Sequence, residues 1–190
     1  MFHQIINSMD IKAGKILVAE PFMLDPNFKR TVVLIVEHHE TGTTGFIINK
    51  LLDIKISELI ADFPKSKAKV GIGGPVAVDS IHYLHNLGDL LEDSIEVCQG
   101  VYWSGNFDKL KFLFENGIIA DQYIRFFVGY AGWTEGQLAE EIEIGDWIIE
   151  DMDANYLFKI KPFVLWQTVL HNKGNNYTVI AQMHDLQSLN

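Results

Sequence analysis

The sequence predicts an α+β domain with a mixed, mostly antiparallel sheet. Three observations carry this. Strand-like runs come first and helix-like runs are interspersed late, with no sustained βαβ alternation. Thr31–Val36 (TVVLIV) is an unbroken β-branched run, as expected of a strand covered on both faces. A second apolar run, Gly45–Asn49, follows the polar stretch HHETGTT, and the two read as a hairpin with a longer loop. The chain has 190 residues, 48% of them hydrophobic, without a linker, internal repeat or low-complexity run. One domain over residues 1–190 is therefore expected.

Element by element, Phe2–Met9 reads as a short helix. Lys15–Glu20 reads as a strand stopped by Pro21, and Asp25-Pro26 as a turn. Ser57–Phe63 reads as a short helix, with Ser57 as N-cap and Pro64 beyond it. Lys69–Ile72, Ser80–His85 and Ser94–Val97 are strand candidates. Phe107–Glu115 is a helix, capped by Asn106 and ended by Gly117. Tyr123–Tyr130 is an aromatic-rich strand. Thr134-Glu135-Gly136-Gln137 fits a capping box, which sets Leu138 and Ile142 on one helix face and Gly145 at its end. Asp146–Glu150 reads as a strand and Pro162–His171 as a helix with proline in its first turn. Tyr177–Met183 fits either class.

The formal net charge is −10. Phosphate repels such a chain unless a basic face is set apart. Lys65, Lys67 and Lys69 would share one side of an extended segment, but no arginine or stacking aromatic joins them. A solvated edge is the better reading, and direct DNA binding is disfavoured. No apolar run approaches the ~18 residues of a membrane helix. The first residues lack the pattern of a secretory signal, so a cytoplasmic location is expected. The single cysteine, Cys98, sits in an apolar run and reads as an inert buried thiol.

Chemistry-bearing residues form small groups. Glu37-His38-His39-Glu40 ends the best strand, and each face would receive one carboxylate and one imidazole. Neither pair supplies three metal ligands, and HExxH is absent. His82 and His85 would face opposite ways on a strand, and His171 suits a helix C-terminus. Gly71-Ile72-Gly73-Gly74-Pro75 lacks the third glycine of a dinucleotide fingerprint and reads as a turn allowing close backbone approach. In Gly129–Leu138 the glycines free the backbone before a helix start. Trp133 is expected as a buried plug, and Glu135 opposes an anion there. No metal and no cofactor is expected.

Three segments together resemble the bacterial YqgE/AlgH family. They are Ala19–Asn49, containing DPNFKRTVVLIVEHHETGTTGFIIN, then Gly73-Gly74-Pro75-Val76, and then GYAGWTEGQLAEEIEIGDW from Gly129 to Trp147. The resemblance implies strands bent into a pseudo-barrel with helices packed outside. Some members carry the label transcriptional regulator, and no activity is established for the family. Its pattern marks Asp25, Pro26, Phe28, Arg30, Thr31, Glu37, His38, Gly42, Gly45 and Asn49 in the first segment. It marks Gly73, Gly74 and Pro75 in the second, and Gly129, Gly132, Trp133, Gly136, Gln137, Leu138 and Trp147 in the third. Two departures are Glu135, where many members have proline, and Lys50-Leu51, where many have Arg-Pro.

The candidate ligand or partner site is therefore Arg30, Glu37, His38, Asn49, Gly73, Gly74, Trp133 and Gln137, with no catalytic residue assigned. Glu37 or His38 is expected to meet Asn49 across the hairpin. The reading that follows is a binding or regulatory protein acting on a protein partner or small molecule. It expects an exposed apolar or aromatic patch, for which Trp103 and Trp133 are the candidates. The alternative is a small hydrolase or metal-assisted enzyme, which needs Glu37, His38 and the Gly73–Pro75 turn to converge on one pocket.

Overall fold

The second strand organises the chain. Its β-branched residues are buried on both sides, with Val32, Leu34 and Val36 in one apolar cluster and Val33 and Ile35 in another. The computed structural model describes residues 11–174. The expected helix at Phe2–Met9 and the ambiguous Tyr177–Met183 lie outside them.

The first strands are β1 (Lys15–Ala19), β2 (Val32–His39), β3 (Gly42–Ile47) and β4 (Leu51–Lys55). After α1 (Ile56–Leu59) come β5 (Lys69–Ile72), β6 (Val76–His85), β7 (Ile95–Cys98) and β8 (Val101–Trp103). The remainder is α2 (Phe107–Glu115), β9 (Ile124–Thr134), α3 (Gln137–Glu143), β10 (Trp147–Asp151), α4 (Ala154–Phe158) and α5 (Pro162–Lys173). The strand order is β10-β1-β2-β3-β9-β6-β8-β7, with β4 beside β5 and β5 beside β9. Every pairing is antiparallel except β5 with β9.

This mostly antiparallel sheet curls into a half-barrel. Strands far apart in the order meet inside it, Ile16 and Val18 of β1 with Val97 of β7 and Val101 of β8. Helices α4 and α5 add Leu157, Leu165, Trp166 and Val169 to the same cluster. Leu138 and Ile142 of α3 cover the other face of β1–β3, and Leu110 and Leu113 of α2 cover β5, β6 and β9.

The eleven-residue β9 serves both halves of the sheet. Its first part lies between β5 and β6, and its last part pairs with β3. Ile124, Phe126 and Val128 face the α2 cluster, whereas Ala131 and Trp133 face the α3 cluster. Strict alternation would put odd and even residues on opposite faces. Phe127 and Tyr130 nonetheless pack in one and the same cluster inside the half-barrel, so the phase slips between them, at Gly129 with φ +65°. Gly73 fills the fork that opens there. Its N–H donates to the Val128 carbonyl at 2.8 Å, and its carbonyl accepts from the Ile47 N–H at 2.7 Å.

Several expectations are corrected. The hairpin has no long loop: β2 runs to His39 and β3 begins at Gly42, which leaves Glu40-Thr41 as the turn. The first helix starts at Ile56 with Lys55 at its cap, not Ser57, and stops at Leu59. Ile56 is fully buried and its N–H donates to Ala68, which fixes the start one residue early. Gly136, in the left-handed region, stands at the α3 cap. Only half of the expected capping box forms: Gln137 Oε1 accepts the Thr134 N–H at 3.0 Å. β4, β8 and α4 were not expected. Asn106 does cap α2, its side chain accepting from the Lys109 N–H at 2.9 Å.

His85 is 0% exposed. Its Nδ1 accepts the Leu87 N–H at 3.2 Å, so the ring proton sits on Nε2, 2.8 Å from the Ser104 carbonyl and 3.1 Å from the Ser94 hydroxyl. Burial lowers its pKa, as it lowers that of His82. Both rings stay neutral in the fold below the pH at which an unfolded histidine takes a proton, about 6.5. Above that pH neither state binds the proton. Below it only the unfolded chain does, so stability falls as pH drops from about 6.5 toward the folded values.

Two outcomes are expected. In urea denaturation at a series of pH values, stability should begin to decline below about pH 6.5, with a shallower slope in His85→Gln. A Cβ on Gly74 would lie 2.1–2.3 Å from backbone atoms of Tyr130 and Ala131, whereas one on Gly117 meets nothing within 4 Å. Gly74→Ala should cost about 3 kcal/mol or more, and Gly117→Ala about 1 kcal/mol from its positive φ alone.

Candidate functional site

The β2–β3 register decides where the hairpin residues go. Val33 opposes Ile47 and Ile35 opposes Gly45, but Glu37 opposes Thr44 and His38 opposes Thr43. One extra residue, Val36, is inserted on β2 as a bulge. Without it His38 would share a face with Leu34 and Val36. With it His38 shares the face of Val33, Ile35 and Thr43, under α3. The His38 Nδ1 lies 2.7 Å from the Thr43 hydroxyl, and Thr43 in turn opposes Trp133 on β9. Glu37 turns to the other face and pairs with His39 at 3.0 Å.

A cleft of ≈ 490 Å³ opens between this hairpin tip and the start of α3. His38, His39 and Glu40 form one wall, Leu138 and Ala139 with Ile11 form the other, and Thr43 and Thr134 lie between.

Behind the α3 wall, one carboxylate holds two tryptophans. Glu141 Oε2 accepts the indole N–H of Trp133 and of Trp147, each at 2.8 Å, and Oε1 accepts from Gln137 Nε2 at 2.9 Å. Phe28 stacks on Trp133 and meets Trp147 edge-on. Trp133 is 5% exposed, so it is a plug and not a surface aromatic. Trp103 is half-buried against Phe46. The exposed aromatic patch expected at these two residues is absent there.

The candidate residues separate into four places, Glu37 standing by itself on the far face of the hairpin tip. His38 lines the cleft, with Trp133 and Gln137 behind it. Arg30 and Asn49 lie at the opposite end of the hairpin. Asn49 accepts from the Val32 N–H at 2.8 Å and donates to the Arg30 carbonyl at 2.9 Å. It thereby continues the ladder past Arg30, whose φ is +58° and whose guanidinium lies 5.4 Å from the Trp166 ring. The expected meeting of Glu37 or His38 with Asn49 does not occur, because the register puts Asn49 opposite the base of β2 and Glu37 and His38 at its tip. Lys50 clasps the turn expected at Asp25-Pro26, its ammonium donating to the Pro26 and Asn27 carbonyls at 3.2 and 2.8 Å.

Gly73 and Gly74 occupy the fork in the sheet. A Cβ on Gly73 would stand 2.3 Å from the Gly129 carbonyl oxygen. They do not line the cleft, and neither does Glu37. The convergence that a hydrolase or metal-assisted enzyme would need is therefore not formed. Among the described residues no group of three His, Cys, Asp or Glu side chains could hold a metal ion. Cys98 is half-buried, and burial followed by the nearby Glu96 charge pushes its thiol pKa up. Sequence reasoning missed Thr43, Thr134 and Ala139 as cleft residues and Glu141 as the tryptophan anchor. A carboxylate four residues after Gln137 on a helix was the available signal for Glu141.

The architecture and this network define a class: a curled, mostly antiparallel α+β half-barrel with a cleft at one hairpin tip. The chain belongs to the AlgH-like family, whose sequence profile matches residues 16–178. A UPF0301 protein of Chlorobaculum tepidum is 40% identical over 180 residues, covering 95% of this chain and 96% of its own. One from Chlorobium chlorochromatii is 41% identical over 187 residues, covering 98% and 100%. The solution structure of the AlgH protein from Pseudomonas aeruginosa is similar, with a TM-score of 0.71 and 28% identity over 95% of this chain and 96% of that one. A crystal structure from Corynebacterium diphtheriae shares the fold, with a TM-score of 0.74 and 24% identity over 90% and 92%.

Replacing Glu141 by alanine would strip two buried indole N–H groups of their acceptor. A loss of about 2–4 kcal/mol in urea denaturation is expected for Glu141→Ala, at roughly 1–3 kcal/mol per unpaired group. Glu141→Gln should lose less, because its amide oxygen still accepts.

Proposed function

We propose that this protein works by binding, as a regulatory protein without a catalytic set of its own, and that its site is the cleft between the β2–β3 tip and α3. One observation carries the reading. The cleft brings together the first and third segments of the family pattern, and His38, Gly42, Gly136 and Leu138 all line it. Its size suits a small molecule or a few side chains of a partner, since binding sites of this kind span about 300–1,000 Å³. The side chains of His38, His39, Glu40, Thr43 and Thr134 supply polar groups opposite the apolar Ile11, Leu138 and Ala139. Direct DNA binding has little support at a net charge of −10. No described helix is long and apolar enough to cross a membrane. A cytoplasmic location is part of the proposal.

A thermal-shift panel of metabolites, nucleotides and divalent metals tests it. A ligand at about 100 times its dissociation constant adds about 2.7 kcal/mol, or roughly 5–10 °C at this size. The shift should vanish in Ala139→Trp, which fills the cleft, and shrink in His38→Ala. A shift that survives both places the ligand elsewhere and overturns the assignment.

A further inference from the structure

The cleft has a one-sided electrostatic setting. Apart from Ile11, its lining comes from His38–Thr43 and Thr134–Ala139, within two stretches of chain, Thr31–Asn49 and Phe126–Phe158, bounded by Arg30, Lys50, Arg125 and Lys159. Neither contains a lysine or arginine, while the second alone carries eight acidic residues. Glu40 lines the cleft, and Glu135 and Glu140 adjoin the lining residues Gly136 and Ala139; all three are exposed. Among the described residues none of these three forms an ion pair. Other nearby carboxylates are already engaged, Glu37 by His39 and Glu141 by the tryptophans. Lys12, beside the lining residue Ile11, is the nearest cation in sequence, one against three carboxylates.

From this setting we infer that the cleft takes a basic segment of a partner protein. An apolar side chain of the segment lies on Ile11, Leu138 and Ala139, and its lysines or arginines face Glu40, Glu135 and Glu140. The inference rests on the binding reading above and names the occupant. Glu140 and the exposed Glu143 lie on α3, which spans roughly 10 Å at 1.5 Å per residue, and Glu135 stands just before it. That length suits a chain with several cations better than a single amine. Each exposed pair contributes little, so the apolar wall fixes the position and the charges select the partner.

The test is fluorescence anisotropy with a short labelled peptide of alternating leucine and lysine. A leucine–glutamate peptide and spermidine are the comparison arms. The lysine peptide should bind, and more weakly as salt rises. Affinity should fall about tenfold in a Glu40→Gln, Glu135→Gln, Glu140→Gln triple variant. It should also fall in Ala139→Trp, and the glutamate peptide should not bind. Absence of binding overturns the inference, and so does binding indifferent to either variant. Competition by spermidine as strong as by unlabelled peptide overturns it too, since a small cation would then be the occupant. The binding reading fails separately: if a non-basic compound gives a thermal shift that Ala139→Trp abolishes, that reading stands and the basic occupant alone falls.

Discussion

The fork in β9 is the constraint on which the rest depends. A single strand belongs to two half-sheets, and its residues change face at Gly129. β3 and β9 part there, which leaves Ile47 and Val128 with main-chain groups to satisfy. Gly73 satisfies both. An unpaired buried peptide group is costly, so the fork stands only if a chain without side chains passes through it. Gly73 and Gly74 provide that chain, with Tyr130 and Ala131 close against them. The dinucleotide-like look of Gly71–Pro75 is thus a consequence of sheet geometry.

The same geometry sets the site. Beyond the fork, the end of β9 pairs with the tip of β3 and carries the chain into α3. Glu141 ties α3 to Trp133 on β9 and to Trp147 on β10. The helix start is therefore held over the hairpin tip from two strands at once. The bulge at Val36 then turns His38 toward that helix. Bulges re-aim side chains and often lie beside functional sites. Alternation sets Glu37 and His38 on opposite faces, and the bulge decides that His38 is the one that lines the cleft.

Much of the fold was legible. The Thr31–Val36 run gave a strand buried on both faces, and Asn106 and the Leu138/Ile142 pair gave two helices. The close-approach reading of Gly73-Gly74 and the plug reading of Trp133 agree with the geometry. What was not legible depends on register. A period-two pattern sets Glu37 with His39 and against His38, in agreement with the structure, but it cannot reveal an inserted residue and so not which cluster each face meets. Asn49 was matched to the wrong end of its hairpin for the same reason, because loop length was read from polarity and the strands in fact run on through it. β4 and β8 are short and alternate weakly, and their partners are distant in sequence. The cleft joins residues near position 40 with residues near 136, a proximity that only strand pairing creates.

The central claim is that recognition occurs at the bulged hairpin tip and not at the glycine turn. Fragment screening by backbone amide NMR tests it most directly, since each perturbed amide reports its own position. The account predicts fragment-induced shifts clustered at His38–Thr43 and Thr134–Ala139, with Gly73–Val76 undisturbed. Shifts clustered at Gly73–Val76, with the hairpin tip silent, would contradict it.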